Sequence, residues 1–344
     1  MNQCAACLRR LKKVETGFCA ACQQELFDGT AVPTTLRFAP PASATPEELQ
    51  HLRELVRQVS VPGVQEKFSL RLDDAPASPQ LTLTARGGQY LLKPVPPARF
   101  CNAAELPANE HFTMQLARQV LGLPTAACAV MCFVDGSPAY LTRRFDVQPN
   151  GTRLAQEDFA QLSGRTAMEH GDNYKYDFSH EEMGRLIRQY LPGSYVTELT
   201  LFFRLTVFNY LVSNGDAHLK NFSLHHRPAT SDYTLTPAYD LLNTSLHVQA
   251  GNNLALDLFA DGYETPSFAA NAFLAHDDFL ELGTRIGLPP SRVRRVLADM
   301  AGHEAATEKL LARSFLSAEL QAQYAASLAA RRQRLRYSLA GAAS

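Results

Sequence analysis

Three oxygen-bearing side chains follow the most apolar segment of the chain. Asp216 lies soon after this segment, which comprises residues 199–212. Asn221 follows five residues later, and Asp240 comes after a short predicted β-hairpin. A carboxylate can accept the proton of an attacking hydroxyl, and a carboxylate and an amide oxygen can together hold Mg²⁺ between the phosphates of a nucleotide. The spacing therefore predicts phosphoryl transfer, with Asp216 as the catalytic base and Asn221 and Asp240 as magnesium ligands.

An Asp and an Asn at this spacing also occur in turns, where each side chain bonds its own backbone. For an isolated pair, that second interpretation is the more frequent one. Here the pair lies between a predicted buried helix, residues 199–212, and a predicted β-hairpin, residues 221–235. This position favours the catalytic interpretation.

A lysine and a glutamate nearer the N-terminus are of the types that bind nucleotide phosphates. Lys93 ends the apolar strand that begins at Tyr90, and from there its ammonium group can pair with the α- and β-phosphates. Glu110, early in the next predicted helix, can orient Lys93. The ordinary alternatives are a solvated lysine at a strand end and a glutamate placed to suit the helix dipole.

Four cysteines near the N-terminus form two CxxC pairs, Cys4 with Cys7 and Cys19 with Cys22, separated by eleven residues. Four thiolates can hold Zn²⁺ tetrahedrally, and the metal can replace a core too small to fold alone. Structural zinc is the favoured interpretation, and four reduced thiols in a poorly ordered segment are the alternative. Three further cysteines are not paired in this way and are predicted to lie in the core: Cys101, Cys128 and Cys132.

Two kinds of periodicity divide the rest of the chain. Between residues 47 and 146, apolar and polar residues alternate, as at Phe68, Leu70 and Leu72, which predicts a strand-rich lobe with one inserted helix. From residue 147 to residue 340 the pattern is mainly helical. With the cysteine segment, residues 1–38, the sequence predicts an α+β protein with the two lobes of a kinase-like fold and a small zinc-ribbon-like module.

Local signals predict where some of these elements begin and end. Asn109 is a candidate N-cap of the inserted helix, and Gly122 is expected after its last residue. Asp135 and Gly136 predict a hairpin turn. Four arginines near the C-terminus can contact phosphates, but a solvated helix face is the favoured interpretation: Arg331, Arg332, Arg334 and Arg336.

Composition narrows the classes of protein. The 33 Lys and Arg residues balance 34 Asp and Glu residues, so the net charge of -1 gives no overall reason to expect a nucleic-acid or membrane partner. With 46% hydrophobic residues, the 344-residue chain can bury a large core without disulfides. No signal-peptide pattern is present, and residues 199–212 are too few to span a bilayer. We therefore expect a cytoplasmic protein.

Seven segments, in this order, closely resemble the HipA-like kinases, bacterial toxins that phosphorylate Ser and Thr. The resemblance runs from about residue 60 to residue 244, and the ordered set is far more specific than any one motif. The segments are SVPGVQEK at 60–67, YLLKP at 90–94, NEHFTMQLA at 109–117, RRFD at 143–146, QEDFAQLSG at 156–164, NGDAHLKNF at 214–222 and LTPAYD at 235–240.

The resemblance implies ATP and Mg²⁺ as cofactors. It implies that the backbone from Arg143 to Phe145 receives adenine, that Asp146 lies near the ribose, and that Lys93 contacts the phosphates. His218 and Lys220 are likewise implied at the ATP site. The implied phosphate-binding loop consists of Ser60, Val61, Pro62, Gly63, Val64 and Gln65.

Ser60 matches the serine that such kinases autophosphorylate. A phosphate group there adds nearly two negative charges beside ATP, which would oppose nucleotide binding and switch the enzyme off. The implied substrate is a Ser or Thr of a translation component, such as an aminoacyl-tRNA synthetase.

The resemblance also implies partners. A helix-turn-helix DNA-binding antitoxin would restrain the kinase, so contact with DNA would be indirect, and no membrane contact is expected. Full-length relatives carry a larger subdomain ahead of the phosphate loop, where this chain has about sixty residues. We therefore expect a separate small protein to stand in for that subdomain.

Two other functions fit the same pattern. One is an ATP-binding pseudokinase or scaffold whose cysteine module, with zinc bound, recruits partners or nucleic acid, although every expected catalytic residue type is present. The other is a small-molecule or lipid kinase. The identity of the phosphorylated product distinguishes this last function from a protein kinase.

Overall fold

The computed structural model describes residues 3–40, 66–73, 79–96, 100–227, 232–248 and 254–342. The chain divides into two compact units, each assembled from separate segments. Unit 1 comprises Met1–Gln115, Ala126–Thr152 and Lys309–Gln321, and unit 2 comprises Leu116–Thr125, Arg153–Glu308 and Ala322–Ser344. Whether the three segments predicted from the sequence fold as separate domains stays a prediction.

Unit 1 contains a five-stranded antiparallel sheet in the order β2-β1-β3-β5-β4. The turn between β4 and β5 is the predicted one, since Gly136 has a φ of 84° and the Asp135 carboxylate accepts a hydrogen bond from the Ser137 amide. The strands are β1 (Phe68–Asp73), β2 (Gln80–Leu83), β3 (Tyr90–Pro94), β4 (Cys128–Cys132) and β5 (Pro138–Arg143).

The cysteine segment packs against this sheet. It contains helix α1 (Ala20–Phe27), and the apolar side chains of the segment join those of the sheet in one buried cluster. The ring of Phe27 lies 5.7 Å from the ring of Tyr90 on β3. The segment and the strand-rich part of unit 1 therefore share a hydrophobic core.

Helix α2 (Leu106–Gln119) is the predicted inserted helix, but it begins earlier than expected. Asn109 is fully buried inside the helix, where its backbone carbonyl accepts a hydrogen bond from Thr113, so the prediction of an N-cap at Asn109 was wrong. Pro107 explains the earlier start, because proline is favoured in the first helical turn. Gly122, with a φ of 59°, follows the helix as predicted.

Unit 2 is mainly helical. Its longest apolar helix, α6 (Tyr195–Leu211), is buried and contacts α5 (His180–Tyr190) and α9 (Pro290–Met300). A small antiparallel sheet joins β6 (Gln156–Asp158), β7 (Ser223–Arg227) and β8 (Asp232–Leu235) in that order. These elements confirm the predicted buried helix and the strands that follow it.

Short helices and a C-terminal helical region complete the described chain. Among the described residues, none of the helices combines the length and apolar character needed to cross a membrane. The remaining helices are α3 (Phe159–Leu162), α4 (Ala167–His170), α7 (Pro266–Asn271), α8 (His276–Arg285), α10 (Glu304–Leu311), α11 (Ala318–Arg336) and α12 (Leu339–Ala342).

The arginines of α11 form the predicted solvated face only in part, since Arg336 is exposed but Arg332 is not. Arg332 is buried and donates a hydrogen bond to the Thr307 hydroxyl at 2.8 Å. Arg331 lies over the ring of Tyr210 at 4.6 Å. The prediction was wrong for Arg331 and Arg332 because a run of one charge does not show which side chains face neighbouring helices, and the long arginine stems pack well on aromatic rings.

Candidate active site

The loop that carries Asp216 and Asn221 follows α6 directly. Near its start, Ser213 has a φ of 55°, which is unusual for a residue with a side chain. The Thr244 hydroxyl holds this conformation, because it donates to the Ser213 carbonyl at 2.9 Å and accepts from the Gly215 amide at 2.9 Å. Such a conformation persists only where the surroundings fix it, as they do here.

Asp216 is exposed and contacts Tyr176, a residue that was not predicted from the sequence to lie at the site. The Tyr176 hydroxyl donates a hydrogen bond to Asp216 Oδ1 at 2.5 Å. Burial, together with this hydrogen bond, raises the pKa of the Tyr176 phenol well above its usual value. The phenol therefore keeps its proton and acts as the donor.

The two predicted magnesium ligands lie side by side. Asn221 Nδ2 is 3.3 Å from Asp240 Oδ2, and Asn221 Oδ1 accepts a hydrogen bond from the His218 amide. Asp240 has a φ of 55°. A carboxylate and an amide oxygen are donors that suit Mg²⁺, which usually keeps several waters and binds substrate phosphates as well. The side-chain types of the pair therefore suit the predicted cation, and the Asn221 amide would have to rotate to turn its oxygen toward a cation beside Asp240.

His218 is buried and lies between Asp216 and Asp240 in the sequence. Burial lowers the pKa of its imidazole to about 4, so the ring is neutral at neutral pH. Its Nδ1 atom has no hydrogen-bond partner among the described residues. Burying a polar atom without a hydrogen-bond partner costs free energy. A ligand that hydrogen-bonds to His218 Nδ1 would therefore be stabilised here.

Lys220, the other residue of this loop implied at the ATP site, is held through its backbone. Its carbonyl accepts a hydrogen bond from the Tyr239 hydroxyl at 2.9 Å, and the same hydroxyl lies 2.6 Å from Ser223 Oγ on β7. The contact fixes the loop against the small sheet.

Unit 1 contains the predicted lysine and glutamate. Lys93 Nζ lies 2.6 Å from Glu110 Oε1, and both residues are about 95% buried. The ammonium group also lies 5.4 Å from the centre of the Tyr140 ring. Because a buried charge is stable only with its partner, each residue fixes the other. The pairing of Lys93 with Glu110 is therefore as predicted, and the role of Lys93 toward ATP stays a prediction.

Side chains of the segment predicted to receive adenine and ribose form ion pairs. The Arg143 guanidinium donates to both carboxylate oxygens of Asp28, at 2.9 and 2.8 Å, and to the Glu25 carbonyl. The Asp146 carboxylate pairs with Arg144 at 2.9 and 2.6 Å. Phe145 lies in the sequence between Arg144 and Asp146, the two partners of the second ion pair. The implied phosphate loop lies outside the described residues: Ser60, Val61, Pro62, Gly63, Val64 and Gln65.

The four N-terminal cysteines converge. The sulfur atoms of Cys4, Cys7, Cys19 and Cys22 all lie within 4.8 Å of one another. A tetrahedral zinc with Zn–S bonds of about 2.3 Å separates its ligands by roughly 3.8 Å, and Cys7 Sγ lies 3.8 Å from Cys19 Sγ. The cluster therefore could hold a metal ion of this kind.

Hydrogen bonds support the cluster. The amide of Cys19 donates to the sulfur of Cys4 at 3.3 Å. Hydrogen bonds from Cys22 and Cys7 hold the pKa of the Cys4 thiol far below its usual value, which favours the thiolate that a metal requires. Of the other cysteines, Cys128 is buried as predicted and Cys132 is half-buried, but Cys101 is exposed, so its assignment to the core was wrong.

Comparisons with known proteins identify the family of the chain. The family model described as the HipA-like C-terminal domain matches residues 59–307. A protein of Haemophilus influenzae, named as a proposed kinase, is 27% identical over 337 residues, or 92% of each chain. Y4dM of Sinorhizobium fredii, named likewise, is 33% identical over 211 residues, which are 58% of this chain and 48% of that relative. The chain thus spans about half the length of Y4dM.

One solved structure shows the fold. It is the Shewanella oneidensis toxin–antitoxin complex of HipA, HipB and operator DNA, whose matching chain aligns with a TM-score of 0.59 at 23% identity. The alignment covers 80% of this chain and 65% of the Shewanella chain. This likeness confirms the predicted fold class of a strand-rich and a mainly helical part.

Proposed function

Since this chain belongs to the HipA-like C-terminal domain family, we propose that it is a kinase that transfers the γ-phosphate of ATP to a Ser or Thr of a protein. One observation carries the proposal. A single loop presents the exposed Asp216 carboxylate and, five residues later, the Asn221 side chain in contact with Asp240. This is the set of side chains that phosphoryl transfer requires of a protein.

Each residue of the site has a separate proposed role. Asp216 accepts the proton of the substrate hydroxyl while that oxygen bonds to the γ-phosphorus and the bond to the bridging oxygen of ADP breaks. Asn221 and Asp240 would hold Mg²⁺, which neutralises the phosphate charge. Lys93, oriented by Glu110, would bind the phosphates. His218 remains neutral, so it can hydrogen-bond a phosphate without competing with Asp216 for the proton of the substrate hydroxyl.

The resemblance to the family also suggests an autophosphorylation site, a substrate class and partners. We propose that Ser60 is autophosphorylated and that the substrate belongs to translation, with aminoacyl-tRNA synthetases as the first candidates. The Shewanella protein forms a toxin–antitoxin complex with HipB and operator DNA, which supports a DNA-binding antitoxin as partner. We propose that this antitoxin is of the helix-turn-helix type. A separate small protein would stand in for the N-terminal subdomain, and zinc would occupy the four-cysteine cluster.

The test is phosphate transfer from γ-labelled ATP with Mg²⁺, measured on the purified protein and on added protein substrates. Replacement of the base, Asp216→Ala, should lower transfer by roughly 10²- to 10⁴-fold. Asp232→Ala, at an exposed aspartate of the same unit, is the matched control and should keep the wild-type rate. Phosphosite mapping should find Ser60. Undiminished transfer by Asp216→Ala would refute the proposed function.

A further inference from the structure

A buried histidine connects the cysteine cluster to helix α2. His111 is fully buried, and its Nε2 lies 2.7 Å from the Ala6 carbonyl, between Cys4 and Cys7 in the chain. A carbonyl only accepts hydrogen bonds, so Nε2 carries the proton and donates it. The other ring nitrogen has no hydrogen-bond partner among the described residues, so the ring makes this one polar contact. Ala6 thus receives the only hydrogen bond that the ring makes in the described part of the chain.

His111 is the sequence neighbour of Glu110, the partner of Lys93. Successive residues of an α-helix point about 100° apart, so one turn of α2 directs His111 to the cysteine knuckle and Glu110 to Lys93. Rotation or translation of this turn would break both contacts together. The hydrogen bond of His111 therefore helps to fix the position of the Glu110 carboxylate.

The same N-terminal segment also holds the strand that carries Lys93. The hydroxyl of Tyr90, three residues before Lys93 on β3, donates to the Leu26 carbonyl at 2.8 Å. Arg143, which pairs with Tyr90 across the sheet, binds Asp28 through both carboxylate oxygens. Both partners of the buried ion pair are thus held from residues 4–28, one through α2 and one through β3.

We propose that the metal-loaded four-cysteine cluster positions the Lys93–Glu110 pair for nucleotide binding, and that His111 is the positioning residue that makes the connection. Ligation of Cys4 and Cys7 fixes the short backbone loop between them, and with it the Ala6 carbonyl that His111 requires. The inference rests on the proposed function, because it assigns Lys93 to the phosphates of ATP.

The test measures zinc content and the Kd of a non-hydrolysable ATP analogue on the full chain. His111→Leu should retain one zinc ion per chain while the Kd rises roughly tenfold, the loss expected for a buried hydrogen bond. His111→Gln, whose amide can still donate to Ala6, should restore the affinity to within about threefold. His170→Leu, at an exposed histidine, is the control and should leave both quantities unchanged.

Two further measurements keep the test decisive if His111→Leu folds poorly. Tyr90→Phe removes only the hydroxyl that contacts Leu26. Like His111→Leu, it should raise the Kd of the ATP analogue, by about threefold. Chelation of zinc from the wild type should speed amide hydrogen exchange in residues 108–115, a readout that does not depend on activity. Unchanged exchange in this segment, or loss of zinc from His111→Leu, would overturn the inference.

Lys93→Ala distinguishes a failure of the kinase proposal from a failure of the link through His111. If this variant binds the analogue as tightly as the wild type, the proposed function is wrong. If Lys93→Ala loses binding while His111→Leu retains wild-type affinity, the kinase proposal stands and only the link through His111 is refuted.

Discussion

At the scale of single residues, the hydrogen bond between Tyr176 and Asp216 bears on the proposed role of Asp216 as the catalytic base. A substrate hydroxyl must come within hydrogen-bond reach of the base that takes its proton. The phenol of Tyr176 already occupies Asp216 Oδ1 at 2.5 Å, and its raised pKa keeps it protonated. The phenol and a substrate hydroxyl would therefore compete for the same carboxylate oxygen.

Removal of this competitor should increase phosphate transfer. Tyr176→Phe deletes the hydroxyl but keeps the ring, which lies 5.2 Å from the His218 ring. We expect the initial rate at subsaturating protein substrate to rise about threefold to tenfold, the range that one hydrogen bond supplies. Tyr174→Phe, two residues earlier in the same loop, is the control and should change nothing. A lower rate for Tyr176→Phe would show instead that the phenol orients Asp216.

The sequence predicted some of these residues and missed others for a physical reason. The four cysteines are close to one another in the chain, and so are Asp216 and Asn221, so their spacing, together with the predicted elements around Asp216 and Asn221, indicated two sites. Tyr176 lies forty residues before Asp216, and no local pattern connects the two. Contacts of this kind depend on how separate elements pack, which periodicity does not encode.

At the scale of secondary structure, turns and buried strands were predictable because their signals are local. Asp135 and Gly136 form the expected hairpin turn, since glycine readily adopts the positive φ required there. The start of α2 was not predictable from Asn109 alone, because Pro107 and the preceding 3₁₀ turn, Ala103–Glu105, move the first helical turn toward the N-terminus. Competing signals within a few residues limit the precision of such boundaries.

A metal ion bound at the four-cysteine cluster would stabilise the N-terminal segment. Its helix α1 has eight residues, which is too short for stability in isolation. The buried side chains of the segment join the core of the sheet, and the four sulfur atoms converge at one point. Both features should contribute to its stability.

Metal binding by this segment can be tested with a matched pair of substitutions. Cys7→Ser removes one ligand, so we expect the zinc content to fall well below one ion per chain and the midpoint of thermal unfolding to decrease. Cys101→Ser, at an exposed cysteine outside the cluster, should change neither quantity. Atomic absorption and differential scanning calorimetry measure the two effects. Equal zinc content in both variants would exclude the cluster as the metal site.

At the scale of the whole molecule, the fold class was predictable and the assembly of the units was not. Alternation before residue 146 and helical periodicity after it were enough to indicate a strand-rich and a helical part. Unit 1, however, also includes Lys309–Gln321, far along the chain. Its Phe315 ring packs 5.7 Å from the ring of His111. Such a contact between distant segments leaves no local signature in the sequence.

Buried neutral histidines make the stability of the molecule depend on pH. His180 on α5 is fully buried, and its Nδ1 lies 3.1 Å from the Asp257 carbonyl. Burial lowers the pKa of His180 from 6.5 to about 4. Between these two values the unfolded chain takes up a proton that the folded chain does not, so the free energy of unfolding falls as the pH falls. Above pH 6.5 the histidine contributes no such dependence.

His180→Gln should therefore flatten the pH dependence of stability. The lowered pKa corresponds to about 3 kcal/mol lost by the wild type between pH 7 and pH 4 through this residue, and the variant should lack that part of the loss. Urea unfolding at a series of pH values measures the difference, with the exposed His170→Gln as the control that keeps the wild-type slope. If His180→Gln and the wild type lose the same free energy over this range, the imidazole is protonated in the folded protein.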